Sequence, residues 1–302
     1  MRIYLKYYKK AEGHSMKVST EIASISCRVG REKAIQYVAE AGFDAFDLSM
    51  SSLISYTTDW KMIANRDDIL AGDQYLKYIR QLKRVADDNG IPCNQSHAPF
   101  PSMDPIAHNF LKRAIECTAE MGGKICVIHP DNNRSPEENA QMYIELLPFA
   151  KDHGVKIATE NMWNWNHAEN HAAPAACSHH DNFLAHMEAV NDPYFVACVD
   201  IGHAEMEGLN TSAPQMIRTL GKHVQALHIH DVDKHNDNHQ IPFSLNVDFE
   251  AVVQALKDIN YSGYFTLESV CYLRENPDWD TFDCVCTLQK SVRRLANMFE
   301  TL

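Results

Sequence analysis

The sequence lacks any apolar run of the roughly 18 to 20 residues that a membrane span requires. Its first residues also lack the apolar core and cleavage pattern of a signal peptide, so we expect a cytoplasmic protein. The nine cysteines are odd in number and contain no C-x-x-C pair. They mostly fall within apolar segments, which predicts buried, reduced thiols.

Basic residues are scarce: 28 Lys and Arg stand against 40 Asp and Glu, a formal net charge of −12 at pH 7. Such a surface repels polyanions and offers no broad basic face to nucleic acid or to an anionic membrane. A small molecule is the easier partner. The composition, 45% hydrophobic and 23% charged, is that of a globular protein, and 302 residues suffice for two ordinary domains or one large fold.

No glycine-rich phosphate turn follows the first predicted strand, which disfavours a doubly wound dinucleotide fold, although periodicity alone leaves such an open sheet as the competitor. From Met16 onward, strand and helix patterns alternate eight times, which predicts a single (β/α)8 TIM barrel over residues 16–302. The basic, aromatic residues 1–15 are expected to be a disordered extension or to follow an upstream start codon. The predicted strands are 17–23, 45–50, 91–97, 124–130, 155–161, 194–200, 224–231 and 264–269.

The predicted helices are 31–42, 74–90, 106–121, 136–152, 213–222, 248–259 and 280–299, and the fifth strand is followed by a long segment instead.

Six consecutive strands end in potential metal ligands, namely His97, His129, Glu160, Asp200 with His203, His228 with His230, and Glu268. A lone histidine or glutamate is usually a hydrogen-bonded or solvated side chain, but a barrel gathers its strand ends into one ring, where such enzymes build their active sites. The joint pattern therefore predicts a divalent metal site. Carboxylates with one imidazole suit Mn²⁺, Mg²⁺ or Co²⁺, whereas additional histidines shift the preference toward Zn²⁺.

The motifs at these strand ends resemble the xylose-isomerase-like TIM barrel superfamily, which includes sugar-phosphate isomerases and epimerases, ketose 3-epimerases, inosose dehydratases and endonuclease IV. The resemblance covers nearly the whole chain after Met16. Its motifs are SHAP (96–99), VIHP (127–130), ATEN (158–161), VDIGH (199–203), LHIHD (227–231) and TLES (266–269).

The ketose epimerase branch implies one ion held by four ligands. The endonuclease-like alignment selects His228 instead of His230 as the histidine ligand. The four ligands are Glu160, Asp200, His230 and Glu268, with His228 as the other candidate on the same strand. Resemblance to endonuclease IV further implies three zinc ions with additional ligands at His97, His129, His203, Asp237 and His239. The short gap before Asp237 departs from that pattern, and the charge of −12 disfavours DNA.

An ion in this ring can chelate the carbonyl and adjacent hydroxyl oxygens of a ketose, which acidifies the neighbouring C–H bond. Glu160 and Glu268 could then remove and return a proton as the catalytic pair. We therefore predict a metal-dependent sugar or sugar-phosphate isomerase or epimerase. The alternatives are a multinuclear zinc phosphoesterase of the endonuclease IV kind and a barrel that only binds a polyol; homo-oligomerisation stays open.

Two further features bear on the substrate. Trp163 and Trp165, in the long segment 161–181, could form a stacking wall and lid over the barrel mouth, or could simply anchor a loop on its rim. A phosphorylated substrate would require cations near the strand ends, for which the candidates are Arg28, Arg134, Lys234 and Arg274.

Overall fold

A computed structural model describes residues 15–302 of the chain. The extension predicted for residues 1–15 therefore lies outside the described residues, except for Ser15. The strands are β1 (Lys17–Glu21), β2 (Ala45–Ser49), β3 (Ile54–Tyr56), β4 (Met62–Ala64), β5 (Cys93–His97), β6 (Ile125–Val127), β7 (Lys156–Glu160), β8 (Asn164–Asn166), β9 (His171–Ala173), β10 (Phe195–Asp200), β11 (Val224–His228) and β12 (Tyr264–Leu267).

The helices are α1 (Ala23–Val29), α2 (Arg31–Ala41), α3 (Tyr75–Asp88), α4 (Pro105–His108), α5 (Leu111–Met121), α6 (Pro136–Asp152), α7 (His180–Val190), α8 (Ile201–Ala204), α9 (Ala213–Leu220), α10 (Phe249–Asp258), α11 (Val270–Arg274) and α12 (Thr281–Thr301). Within the described residues, no helix is both long and apolar enough to cross a membrane.

Eight strands pair in parallel to form the barrel, in the order β11-β10-β7-β6-β5-β2-β1-β12. A parallel bridge between Ile229 and Leu267 joins the two ends of this order and closes the ring. The predicted (β/α)8 barrel is thus confirmed. Its main apolar core lies between the strands and the surrounding helices, which is why the strands are apolar on their outward faces.

The interior of the barrel is divided into an apolar and a polar half. Val127, Ala158, Val196, Cys198 and Ala226, from β6, β7, β10 and β11, form a small apolar cluster. The opposite strands contribute hydrogen-bonded polar side chains instead, among them Ser19 and Asn94 (Oγ to Oδ1, 2.7 Å), Asn94 and Thr266 (Nδ2 to Oγ1, 3.1 Å), and Gln95. The wall that carries β12, β1, β2 and β5 is therefore the polar one.

The structure differs from the predicted elements mainly in short segments. β6 and β11 end earlier than predicted, so that His129 and His230 lie two residues beyond their strands. The predicted helix 106–121 is divided into α4 and α5. The helices α1, α7, α8 and α11 and the antiparallel hairpins β3–β4 and β8–β9 were missed. All nine cysteines lie in the described part of the chain and are free thiols, seven of them buried.

Candidate metal centre at the carboxyl ends of the strands

One group of predicted ligands, the glutamate group (His97, His129, Glu160, His228 and Glu268), converges on the Glu160 carboxylate. Its Oε2 atom lies 3.2 Å from His129 Nε2 and 3.0 Å from His228 Nδ1. The His97 and His129 Nε2 atoms are 2.8 Å apart. The Glu268 Oε2 atom lies 3.6 Å from the same His228 nitrogen. These five side chains therefore surround one small volume at the barrel mouth.

A second group, the loop group (His203, His230, Asp237 and His239), forms beside the first. The potential ligand atoms of these four residues all lie within 4.8 Å of one another. The Asp237 Oδ2 atom is 3.4 Å from His203 Nε2 and 3.2 Å from His239 Nε2, and the His230 and His239 rings stack with centroids 3.9 Å apart. The loop after β11 thus supplies Asp237 and His239 to a site next to the strand ends.

Asp200 connects the two groups. Its Oδ1 atom lies 2.9 Å from His230 Nε2 and accepts the backbone N–H of His203 at 2.7 Å, so it caps the short helix α8. His203 Nδ1 lies 3.8 Å from Asp200 Oδ1 and 3.9 Å from Glu160 Oε1. The two groups are therefore contiguous parts of one carboxylate and imidazole surface.

The geometry separates the two histidines at the end of β11, His228 and His230. His228, the last residue of β11, faces Glu160 and Glu268, whereas His230 faces Asp200 and the loop group. The ketose epimerase branch implied His230 as the ligand and the endonuclease-like alignment implied His228, and which of the two binds an ion stays a prediction. His228 is the one that lies next to the two glutamates, and β11 ends two residues before His230.

The residues present fit a divalent ion. Three imidazoles donate Nδ1–H to main-chain carbonyls, namely His97 to Ala98, His203 to Asn161 and His239 to Glu268, at 2.8–2.9 Å. Each Nε2 lone pair is thereby directed into the site, as in histidine ligands of metals. Among the described residues, the buried His129 Nδ1, His228 Nδ1, His230 Nδ1 and Asp237 Oδ1 atoms have no hydrogen-bond partner, which native interiors rarely tolerate.

The protonation states of the buried carboxylates and imidazoles also favour a bound cation. Burial alone would raise the pKa of Glu160, but the imidazoles of His228 and His129 hold it well below its usual range. Burial lowers the pKa of His203, yet Asp200 and Asp237 raise it well above its ordinary value. Without an ion, protons on imidazoles therefore balance the buried carboxylates, and a cation could take their place.

Trp163 and Trp165 lie beside the loop group, at the hairpin β8–β9. The Trp163 ring centroid is 6.4 Å from that of His203, and the Trp165 ring meets His235 edge-on at 5.4 Å. Both tryptophans also pack on the buried side chains of Ala172, Met206 and Leu209. The hairpin thus anchors the indoles at the rim, and their predicted role as a lid stays a prediction.

Two buried carboxylates near the site were missed by the sequence reasoning. Glu21 is the last residue of β1, and Asp47 lies two residues before the end of β2. The two residues are partners in the pairing of these parallel strands. Burial raises the pKa of Glu21 to about 7, although Ser24 hydrogen-bonds its carboxylate. The Asp47 Oδ2 atom lies 3.3 Å from His228 Nε2. The available signal was an acidic residue inside an otherwise apolar strand.

The four cations considered for phosphate binding already contact carbonyl, thiol or carboxylate groups of nearby residues. Arg28 donates to the carbonyls of Leu273, Asn276 and Trp279, and Arg274 lies 2.8 Å from Cys271 Sγ. Arg134 and Lys234 lie 3.7 and 3.5 Å from the carboxylates of Asp131 and Glu205.

A family model described as Xylose isomerase-like TIM barrel matches residues 35–281, which confirms the resemblance seen in the motifs. An uncharacterized protein of Methanocaldococcus jannaschii is 24% identical over 240 residues, which cover 73% of this chain and 78% of that protein. Two solved structures share the fold. A D-tagatose 3-epimerase-like protein superposes with a TM-score of 0.64 at 21% identity, covering 92% of this chain and 100% of that chain. An L-ribulose 3-epimerase gives a TM-score of 0.67 at 16% identity, covering 95% and 96%.

Proposed function

This chain belongs to the xylose isomerase-like TIM barrel family, and we propose that it is a divalent-metal-dependent isomerase or epimerase of sugars or sugar phosphates. The observation that carries the proposal is the convergence of Glu160 and Glu268 on His228 Nδ1, at 3.0 and 3.6 Å. This chemistry requires two carboxylates beside the same bound substrate, one to accept a proton and one to donate it. The names of the two solved structures that share the fold, an L-ribulose 3-epimerase and a D-tagatose 3-epimerase-like protein, support the same reaction class.

The ligands would be Glu160, Asp200, His228 and Glu268, with His230 beside Asp200. A bound Mn²⁺, Mg²⁺, Co²⁺ or Zn²⁺ would supply Lewis-acid polarisation of a substrate carbonyl. The chain's own part is proton transfer at the adjacent carbon, by one glutamate that accepts the proton and another that donates it. Return to the same carbon from the opposite face gives an epimer, and return to the neighbouring carbon gives an isomer.

The electrostatics favour an unphosphorylated sugar over a sugar phosphate. The chain carries a net charge of −12, and four carboxylates line the site: Glu160, Asp200, Asp237 and Glu268. Within the described residues, the four candidate cations already contact carbonyls, a thiol or carboxylates, as given above. A neutral polyhydroxy substrate enters such a mouth with less repulsion than a phosphate ester does.

The test is deuterium uptake from heavy water into a panel of ketoses and their phosphate esters. Glu160→Gln and Glu268→Gln should each lower the exchange rate by about 10²-fold or more, because each removes a general acid or base. Glu169→Gln is the control, since Glu169 is exposed between β8 and β9 and should leave exchange unchanged. Exchange that survives both site variants would sink the proposal. Metal binding with no exchange on any substrate would instead favour a polyol-binding barrel.

A second candidate function, a multinuclear zinc phosphoesterase, is favoured by one observation, the loop group. His203, His230, Asp237 and His239 offer ligand atoms within 4.8 Å of one another, which suits a further Zn²⁺. Elemental analysis and cleavage assays on abasic DNA distinguish the two functions. Three zinc ions with cleavage would establish the phosphoesterase, whereas one ion without cleavage would exclude it.

A further inference from the structure

His228 differs from three of the other site histidines in the groups that face its two ring nitrogens. His97, His203 and His239 each donate Nδ1–H to a main-chain carbonyl, which directs Nε2 into the site. His228 faces Glu160 and Glu268 with Nδ1 instead, and its Nε2 atom points away from them toward a side chain, Asp47 Oδ2, at 3.3 Å. The Asp47 carboxylate thus contacts the outward-facing nitrogen of His228, whereas a main-chain carbonyl contacts that nitrogen in His97, His203 and His239.

Asp47 reaches His228 across the interior of the barrel. β2 and β11 are separated in the ring by β1 and β12, so this contact spans the mouth and does not follow the strand pairing. Both side chains are 1% exposed. A buried carboxylate needs donors, since water is excluded. His228 Nε2 is one of the two nitrogen atoms that the described residues place within hydrogen-bond distance of Asp47 Oδ2.

Gln95 is the other donor, and its orientation is fixed. Its Nε2 atom donates to Asp47 Oδ2 at 2.9 Å. Its Oε1 atom accepts from Asn94 Nδ2 at 3.3 Å and from Thr266 Oγ1 at 3.4 Å. These two donors prevent the amide from turning over, so Asp47 is held with Oδ2 toward His228.

We propose that Asp47, held by Gln95, is a positioning residue that keeps the His228 proton on Nε2 and so presents an unprotonated Nδ1 to the metal. The inference rests on the proposed metal site but not on the sugar reaction. With the proton on Nδ1, an N–H would face the Glu160 and Glu268 carboxylates and would have to leave before an ion could bind. Outer carboxylates of this kind typically change metal affinity 10- to 100-fold.

The test titrates Mn²⁺ alone into chelator-treated protein by calorimetry. Asp47→Asn keeps the shape of the side chain and should weaken Mn²⁺ binding about 10- to 100-fold. Glu21→Gln is the matched control. It removes a buried carboxylate from the neighbouring strand, where Glu21 pairs with Asp47 in register, but that carboxylate is hydrogen-bonded to Ser24 and not to His228. If only charge mattered, both variants would weaken binding alike at pH 8.5, where Glu21 is ionised because its pKa is about 7. Positioning predicts that Glu21→Gln binds nearly as the wild type at that pH.

A spectroscopic measurement separates positioning from misfolding. In ¹⁵N-histidine protein loaded with ¹¹³Cd²⁺, the wild type should show cadmium coupling to His228 Nδ1 and a proton on Nε2, assigned by difference from His228→Gln. Gln95→Met, which leaves Asp47 in place without its holder, should weaken binding in the same direction. A cooperative unfolding transition shows that this variant is folded, although at a lower temperature, because buried hydrogen-bonding groups lose their partner.

Three results would overturn the inference. Asp47→Asn could bind Mn²⁺ as tightly as the wild type, Glu21→Gln could weaken binding as much, or cadmium could couple to Nε2. A wild-type chain that binds no divalent ion would overturn the metal site together with this inference. Normal metal effects without deuterium exchange would leave the inference standing and remove the isomerase.

Discussion

At the scale of single residues, the site depends on which ring atom each histidine presents. The sequence placed both His228 and His230 on one predicted strand, two residues apart, where side chains share a face. Which one meets the glutamates depends on where β11 ends, and that end is set by pairing with β10 and by the bridge from Ile229 to Leu267. Likewise, Asp47 is visible as an acid in an apolar strand, but its partner lies across the barrel.

Gly202 is the residue that leaves room for His230. A Cβ atom built on Gly202 would overlap the His230 ring, so Gly202→Ala should push the imidazole away from Asp200. We expect a loss of about 1–3 kcal/mol in the free energy of unfolding, as in overpacked cores. Metal bound by the loop group should be weakened as well, which elemental analysis and chemical unfolding would measure.

The control for this change is Gly72→Ala, where the new Cβ would meet only the Ile69 carbonyl oxygen at an ordinary 3.6 Å. Its stability should stay within about 0.5 kcal/mol of the wild type, as for most surface substitutions. Equal stability and equal metal content in both variants would show that His230 does not need the space beside Gly202.

At the scale of secondary-structure elements, the barrel was predictable and its additions were not. The eight barrel strands are buried apolar runs followed by helical periodicity, and both signals survive in a single sequence. The hairpins β3–β4 and β8–β9 have strands of three residues each, too short for a period of two to be recognised. The segment after β7 was therefore recognised as unusual in length while its hairpin was missed. Helix α7, with 11 residues, was missed although it is long enough to show a helical period.

The hairpin β8–β9 gives a prediction at this scale. If the Trp165 indole forms part of a wall for the substrate, Trp165→Ala should raise KM about 2- to 10-fold with a smaller effect on kcat, since aromatic stacking contributes about 0.5–1.5 kcal/mol. Trp60→Ala, in the other hairpin, is the matched control because its side chain is 83% exposed. Steady-state kinetics on an accepted sugar would check both, and equal KM values for Trp165→Ala and the wild type would leave the hairpin as an anchor only.

At the scale of the whole molecule, the site links stability to pH and to metal. Burial lowers the pKa of His239, but Asp237 raises it to about 9, well above the unfolded value of roughly 6.5. The stabilisation by this protonated imidazole is complete below about pH 6.5 and is lost as the pH rises through about 9. A metal ion competes with the same proton, so its affinity increases over the same range.

Chelator-treated protein should therefore lose stability between about pH 6.5 and 9, while the added stability of the metal-loaded protein grows. Urea unfolding of both forms at several pH values measures the two trends. His239→Asn should make the decline of the chelated protein shallower. A chelated protein whose stability is constant or rises over this range would contradict the linkage.

The division of the barrel interior also sets how freely its positions can be exchanged. On the wall formed by β6, β7, β10 and β11, Val127, Ala158 and Val196 pack together in an apolar cluster, so swaps that conserve volume should be tolerated. On the opposite wall, substituting one of the polar side chains leaves a neighbour without its hydrogen-bond partner and thereby disturbs Gln95 and Asp47. New substrate preferences would therefore arise more readily through loops and the apolar wall, and directed evolution of this barrel would find its permissive positions there.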